Sequence, residues 1–358
     1  MAGRAVAIVG AGVSGLSCAR VLTEAGLEVR LFEKARGPWG RLATRRSDEG
    51  QGGWDFGAQY FTVRDARFEA VVRRLAGEGL VSPWEGRIVA LDEGRRVRPV
   101  GGGTRWVGVP GMSALGLALG RGLSISVGVE VGNVFGQGDG EAGLSLVDTQ
   151  GGALGTFDAV VLAVPAPQAA RLVRDADGDL ADSLGAVPME PCWAGLLEAP
   201  ARVDVAWDGA FCELASGVLG WVARDSSKPG RQARDGPGDG PGGGVERWVL
   251  HARSDWSARH LEESGDVVAQ RLLGAFEELI GDRVVGRLQV HRWRFARGES
   301  PVAGPLVGAR ARVVACGDWA AGGRVEGAFS SGLAAAAEVL GRSGEGARSR
   351  LVGGRSAG

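Results

Sequence analysis

Ala5-Val6-Ala7-Ile8-Val9-Gly10-Ala11-Gly12-Val13-Ser14-Gly15 is the stretch whose reading decides the fold. The β-branched apolar run that stops at Gly10 suits a strand buried on both faces, as in a parallel sheet. From Ser14 to Ala25, Leu16, Ala19, Val21 and Leu22 recur at helical spacing, and Gly26 stands where a helix C-terminal glycine is expected. Leu27 to Phe32 reads as a second strand, ended by Glu33. Strand, glycine turn, helix and strand make a βαβ unit with a right-handed crossover. Gly10, Gly12 and Gly15 fit G-x-G-x-x-G, which permits a tight turn, close approach of a pyrophosphate to backbone N–H groups, and close helix–strand packing. Glu33 lies 18 residues beyond Gly15, close to the roughly 20 expected of a carboxylate that binds a ribose 2′-hydroxyl. The unit therefore reads as a dinucleotide site for FAD or NAD rather than NADP, with the pyrophosphate at the helix N-terminus.

Outward from this unit, composition limits what else the chain can be. It has 358 residues, 44% of them hydrophobic, with a formal net charge of −1, which suits two globular domains and gives no charge signature of nucleic-acid binding. Three histidines and four cysteines, without C-x-x-C or H-E-x-x-H, argue against a metal site and against a disulfide framework. Buried thiols in a reducing compartment are the expected state of the cysteines. No apolar run approaches the roughly 18 residues of a membrane span, so a soluble, cytoplasmic protein is expected. The 63 glycines make any single glycine motif weak on its own, and the argument needs the residues around it.

Further along, residues 66–79 and 112–119 look helical, 86–109 and 123–158 read as short strands and hairpins, and Ala159 to Ala163 and Val313 to Cys316 as core strands. Trp54 to Thr62 has a strand-like aromatic core. Six of the eleven tryptophans fall between 188 and 298 among alternating strands, with one helix near 265–280, which marks a second lobe. The expected architecture is α/β: a Rossmann-like dinucleotide-binding domain with a second, mixed-sheet α+β domain, both built from discontinuous segments. The first takes 1–64, 110–187 and 299–341, the second 65–109 and 188–298. A Gly/Pro-rich run at 235–244 reads as a mobile loop and 342–358 as a disordered tail.

Several non-glycine landmarks occur in order. They are Glu33 to Arg41 (EKARGPWGR), Asp55 to Thr62 (DFGAQYFT), Ala223 to Gly230 (ARDSSKPG), and Gly317-Asp318 followed by Arg324 to Ala328 (RVEGA). Together with His251-Ala, Trp256-Ser257 and His291 to Ala296, these segments resemble the FAD-dependent oxidoreductases of the amine-oxidase superfamily, and among them the renalase-like proteins. The resemblance runs from residue 5 to about 341.

That resemblance implies non-covalent FAD. Gly10, Ala11, Gly12, Val13, Ser14, Gly15, Glu33 and Lys34 would hold its adenosine and pyrophosphate end, with Val131 near the adenine and Arg41, Leu42 and Asp318 near the ribityl–pyrophosphate portion. Ala58, Gln59, Gly317, Val325, Glu326, Gly327 and Ala328 would border the flavin ring. Where the family commonly has two glycines before the arginine, this chain has Trp39-Gly40. Hydride transfer to a flavin needs no protein nucleophile, and the helix N-terminus at 327–332 would steady negative charge on the ring. Monoamine-oxidase-like enzymes place a lysine near flavin N5, but the only lysines here are Lys34 and Lys228. Renalase-like proteins instead oxidise the 2- and 6-dihydro isomers of NAD(P) to NAD(P)+, with O2 reoxidising the flavin to give H2O2. For such a reduced nicotinamide substrate the catalytic candidates are Gln59, Trp221, Arg224, Trp293 and Arg294. The tryptophans would wall the ring and the arginines bind phosphate or ribose. His251 and His291 read more readily as satisfied core or surface histidines. Two alternatives are a flavin amine oxidase of another small reduced substrate and a non-enzymatic flavin-binding redox sensor.

Overall fold

A computed structural model describes residues 4–47, 52–136, 143–214, 217–231, 245–298, 303–308 and 312–341. The expected loop at 235–244 and tail at 342–358 lie outside these residues. The chain divides into two compact units, one of 1–40, 119–189 and 298–358, the other of 41–118 and 190–297.

In the first unit, strand Ala5–Val9 sits between Glu28–Glu33 and Ala159–Leu162, with parallel pairing to both. Ile125–Val127 and Val313–Ala315 extend the parallel sheet outward, and Leu306–Val307 adds an antiparallel edge. The next strand in sequence lies on one side of Ala5–Val9 and a much later one on the other. Gly10 therefore stands where strand order reverses, the point at which open α/β sheets bind ligands. Helix Val13–Glu24 crosses Val325–Gly341 closely, because a Cβ at Gly332 would come within 2.2 Å of the Ser14 carbonyl. Ser17 Oγ donates to Phe329 O at 3.1 Å across this crossing. A three-stranded antiparallel sheet, Val131–Gly136, Leu144–Asp148 and Ala153–Phe157, packs into the same core through Val134, Leu146 and Phe157.

The second unit is built on a seven-stranded mixed sheet in the order Arg287–Gly298, Met189–Ala199, Glu246–Ala252, Leu219–Arg224, Gly209–Cys212, Ile88–Leu91 and Val97–Pro99. Helix Gly265–Ile280 lays Val268, Leu272 and Phe276 onto the face that carries Trp193, Leu197 and Trp248. The opposite face carries Ala194, Leu196 and Val249 and is covered by Trp54 and Phe56. Alternation of side chains across a strand assigns each residue to one face or the other.

Relative to the segments expected from sequence, 41–64 and 110–118 cluster with the second unit. The reason is hydrogen bonding. Trp54 Nε1 donates to Leu197 O at 3.0 Å, and Asp55 Oδ1 accepts from Met112 N at 2.9 Å. The strand near Trp54 is also short, Gly53–Asp55, after which the chain runs irregularly to a single bridge at Phe61. Cys18, Cys212 and Cys316 are buried and Cys192 is partly so, all unpaired. Burial pushes the Cys192, Cys212 and Cys316 thiols up to about 12. Among the described residues no helix is long and apolar enough to cross a membrane, and no cluster of His, Cys, Asp and Glu could hold a metal ion.

Candidate functional site

The dinucleotide turn is shaped by contacts that exclude side chains. Gly10 has φ 103°, and a Cβ there would come within 2.5 Å of Ala163 O. At Gly15 a Cβ would stand 2.0 Å from Gly10 O, whereas at Gly12 it would meet nothing within 4 Å. Gly12 therefore faces open space at the end of helix Val13–Glu24, whose first turn has no side-chain cap. Uncapped N–H groups beside an open glycine suit an anionic group. Glu33 is buried, its Oε2 accepting from Ala11 N and its Oε1 from Ala35 N, each at 2.9 Å. Two backbone donors aim the carboxylate at the turn and leave each oxygen lone-pair capacity for a ribose hydroxyl. Lys34, by contrast, is solvent-exposed, 3.8 Å from Glu130. Val131 is buried at the start of its strand.

Elsewhere in the same unit, Gly317 N donates to Ser331 Oγ at 3.1 Å, and the Asp318 carbonyl accepts from Ala321 and Gly323 N–H at 2.9 Å each. Val325 to Ala328 form the first turn of the last helix. Gly327 must be glycine there, since a Cβ would stand 2.2 Å from Ala321 O.

In the second unit the structure gathers some of the expected residues around one carbonyl. Phe56 O accepts from Trp293 Nε1 at 2.9 Å and pairs with His251 Nε2 at 3.1 Å. The Phe56 ring stacks on Trp293 with centroids 5.0 Å apart, and His291 meets both rings edge-on. The next residues are also tied down: Ala58 N donates to Arg41 O at 2.8 Å, and a Cβ on Gly57 would come within 2.2 Å of that oxygen. Arg41 Nη1 donates to Ala296 O at 2.9 Å, and Leu42 is buried. Burial holds His251 down to about 4, with the charge of Lys228 adding and the Phe56 carbonyl opposing. Burial followed by the charge of Arg45 lowers His291 to about 4 as well.

Gln59 is buried and bonded at both ends of its amide. Oε1 accepts from Lys228 Nζ at 3.2 Å, while Nε2 donates to Asp55 O and, at 3.3 Å, to Gly57 O. Lys228 belongs to a sealed group of four charges with Asp55, Asp225 and Arg231. Its Nζ lies 2.5 Å from Asp225 Oδ1 and 3.6 Å from Asp55 Oδ2. Arg231 Nε donates to Asp55 Oδ2 at 2.8 Å. Burial alone would raise Asp55, but Arg231 and Lys228 outweigh it and hold the carboxyl below its ordinary value. At Asp225 burial prevails over Lys228, assisted by the charge of Asp55, and the pKa rises.

Beside this group, Tyr60 and Phe211 lie 5.8 and 4.6 Å, centroid to centroid, from Trp221, and Arg105 sits over the Tyr60 ring. Trp221 is 8% exposed, yet its indole Nε1 has no hydrogen-bond partner. Arg224 and Arg294 stand apart. Arg224 donates to Glu246 at 2.8 Å and to the Val203 and Val205 carbonyls, under the Trp248 ring. Arg294 is at the surface, paired with Glu262 at 2.6 Å. Strand parity explains both: Arg224 is three residues from Trp221 and Arg294 one from Trp293, so each arginine faces the side opposite its tryptophan. Sequence reading missed the role of the Phe56 carbonyl and the group Asp55, Asp225, Lys228 and Arg231. The only signal for that group was the pair of segments DFGAQ and RDSSKPGR.

This fold and turn define a two-unit dinucleotide-binding protein of the Rossmann type. Residues 8–75 match the NAD(P)-binding Rossmann-like domain, and residues 89–340 match the flavin containing amine oxidoreductase family. The chain belongs to that amine oxidoreductase family, and it is an FAD-dependent oxidoreductase. Its fold is similar to that of a candidate protoporphyrinogen oxidase from Exiguobacterium sp. 255-15, with TM-score 0.72 and 13% identity over 96% of this chain and 99% of that one. It is likewise similar to wild-type putrescine oxidase bound to putrescine, with TM-score 0.66 and 14% identity over 95% and 99%. A curated relative, the zeta-carotene-forming phytoene desaturase of Myxococcus xanthus, is 40% identical over 76 residues. The match takes in 20% of this chain and only 14% of the desaturase.

Proposed function

We propose that this oxidoreductase is a renalase-like oxidase of reduced nicotinamide rings, converting 2- and 6-dihydro isomers of NAD(P) to NAD(P)+, with O2 as the final acceptor. The observation that carries the reading is the unpartnered Trp221 Nε1, buried between Tyr60 and Phe211. A buried donor left unmade costs about 1–3 kcal/mol. A planar ring bearing an acceptor such as a carboxamide oxygen would accept from the indole once Tyr60 or Phe211 moves aside to uncover it.

The lysines support the same choice. Lys228 is fully enclosed by Asp225, Asp55 and Gln59, and Lys34 stands at the surface beside Glu130. Neither is presented as a loose amine of the kind monoamine-oxidase-like enzymes use. Gly10 to Gly15 and Glu33 would hold the adenosine–pyrophosphate end of FAD, which when bound accepts hydride at N5. The chain's own work is to orient. Trp293 and His251 fix the Phe56 carbonyl, Lys228 fixes Gln59, and Gly57-Ala58 are thereby held in one backbone path. Arg224 and Arg294 are withdrawn as candidate phosphate ligands by their pairing with Glu246 and Glu262.

Anaerobic mixing of the purified holoprotein with isomerised NADH, and separately with a primary amine, tests the reading through the flavin absorbance. Rapid bleaching by the isomers alone is expected. Bleaching by the amine, or by neither, overturns the nicotinamide assignment.

A further inference from the structure

Trp39 is one of two non-glycine residues with positive φ among the described residues, at 95°. Such a backbone is strained for an aromatic residue and persists only where its surroundings over-determine it. Three contacts within the first unit do so. Trp39 N donates to Ala11 O at 3.1 Å. The indole fills a socket that exists because residue 120 is glycine: a Cβ there would lie 2.8 and 2.9 Å from indole Cζ3 and Cη2, with Ile125 Cδ1 at 3.4 Å. Arg20, on the helix that follows the turn, donates from Nη2 to the carbonyls of Leu119 at 2.8 Å and Arg121 at 2.7 Å, pinning the socket to that helix. Turn, Trp39, socket and helix thus form a closed circuit.

We propose that Trp39 is a positioning residue for FAD binding, acting through the Ala11–Gly12 peptide. In a trans peptide the carbonyl and the following N–H point in opposite directions. By holding the Ala11 carbonyl, the Trp39 N–H turns the Gly12 N–H to the opposite side of that peptide, and Gly12, with no side chain, leaves room at the turn to which the Gly-x-Gly spacing brings the pyrophosphate. Glu33 holds the amide on the other side of Ala11. Gly40, at φ 53° with its missing side chain 3.8 Å from Gly12 Cα, continues the same wall. The bulky residue that breaks the family's glycine pair is a brace: docked in the Gly120 socket, it keeps the donor aimed before the cofactor arrives.

The test is FAD titration of the full-length apoprotein, read by flavin fluorescence, alongside the thermal midpoint of each apoprotein, for W39G, G120A and the double variant. Glycine adopts positive φ without strain, but W39G also empties the Gly120 socket, so the thermal midpoint reads the balance of backbone relief against lost packing. The proposal expects a Kd for FAD raised about tenfold or more. G120A, which keeps the tryptophan but closes its socket, is expected to weaken FAD similarly and to add little once Trp39 is gone. A W39G Kd within about twofold of the parent overturns the proposal. So does a G120A effect equally large with and without Trp39.

Discussion

Lys228 Nζ stands 3.2 Å from Gln59 Oε1, and this contact settles which way the Gln59 amide points. An ammonium can only donate, so the oxygen must face it and the NH2 must face the Asp55 and Gly57 carbonyls. The orientation of a segment that follows a strand end is thereby set by a charge 169 residues away in sequence.

Removing that charge should be costly. Lys228→Met would leave Asp55 and Asp225 with Arg231 alone, in a site without solvent. Breaking a buried ion group by deleting one partner typically costs about 3–5 kcal/mol. Urea unfolding of the variant should show a loss of that order, partly recovered in the Asp225→Asn, Lys228→Met pair because one stranded carboxylate is then gone. A single variant as stable as the parent would mean that the group is hydrated and its charges are screened.

The histidines make stability depend on acidity in a defined window. His251 and His291 are held from 6.5 down to about 4 in the folded chain, so the unfolded chain takes up their protons first. Their contribution is complete above pH 6.5 and is lost as the pH falls from there through about 4. Unfolding midpoints measured across this range should decline with acidification, and His251→Gln should flatten part of the slope. Asp55, with its pKa lowered, extends the loss further into acid. Asp225, with its pKa raised, works in the opposite direction, so the decisive comparison is between variants: a slope between pH 6.5 and 4 that His251→Gln leaves unchanged would contradict the burial of that imidazole.

How far the sequence reaches is clearest from the two arginines. Gly10, Gly12, Gly15 and Glu33 are readable because the turn, its helix and the strand end are all local, and local spacing carries the geometry. Through the family resemblance Arg224 and Arg294 are expected to bind phosphate or ribose, yet period-two alternation already separates Arg294 from Trp293. The partners that absorb them, Glu246 and Glu262, are distant in sequence and invisible to pattern. The same holds for Asp55 and Asp225, which meet only through the tertiary fold and look like ordinary solvated charges in the chain. Trp39 was legible as an irregularity; its socket at Gly120 was not.

Contrasting substitutions separate the two arginines. Arg224→Met removes the partner of the largely buried Glu246 and should cost about 3 kcal/mol of stability. Arg294→Ala breaks only an exposed pair and should change stability by less than about 0.5 kcal/mol. Neither should raise KM selectively for a phosphate-bearing substrate. A selective KM increase in Arg294→Ala, with unaltered stability, would restore that residue to the substrate site.

Glu33 provides the sharpest check on the dinucleotide turn. Both its oxygens accept backbone N–H groups, from Ala11 and Ala35, each at 2.9 Å. In Glu33→Gln one of those positions becomes an NH2 group facing a backbone donor, so a buried hydrogen bond is lost whichever way the amide turns. The apoprotein should lose about 1–3 kcal/mol of stability. Because the Ala11 amide leads into Gly12, the aim of the turn should slacken as well, and FAD affinity should fall about tenfold or more. Glu33→Asp retains the charge but shortens the reach by one methylene, so it should fall between parent and glutamine in affinity. Titration of the three apoproteins with FAD measures the order directly. If the glutamine variant binds as tightly as the parent, the carboxylate is only a strand-end acid and the ribose is held by other groups.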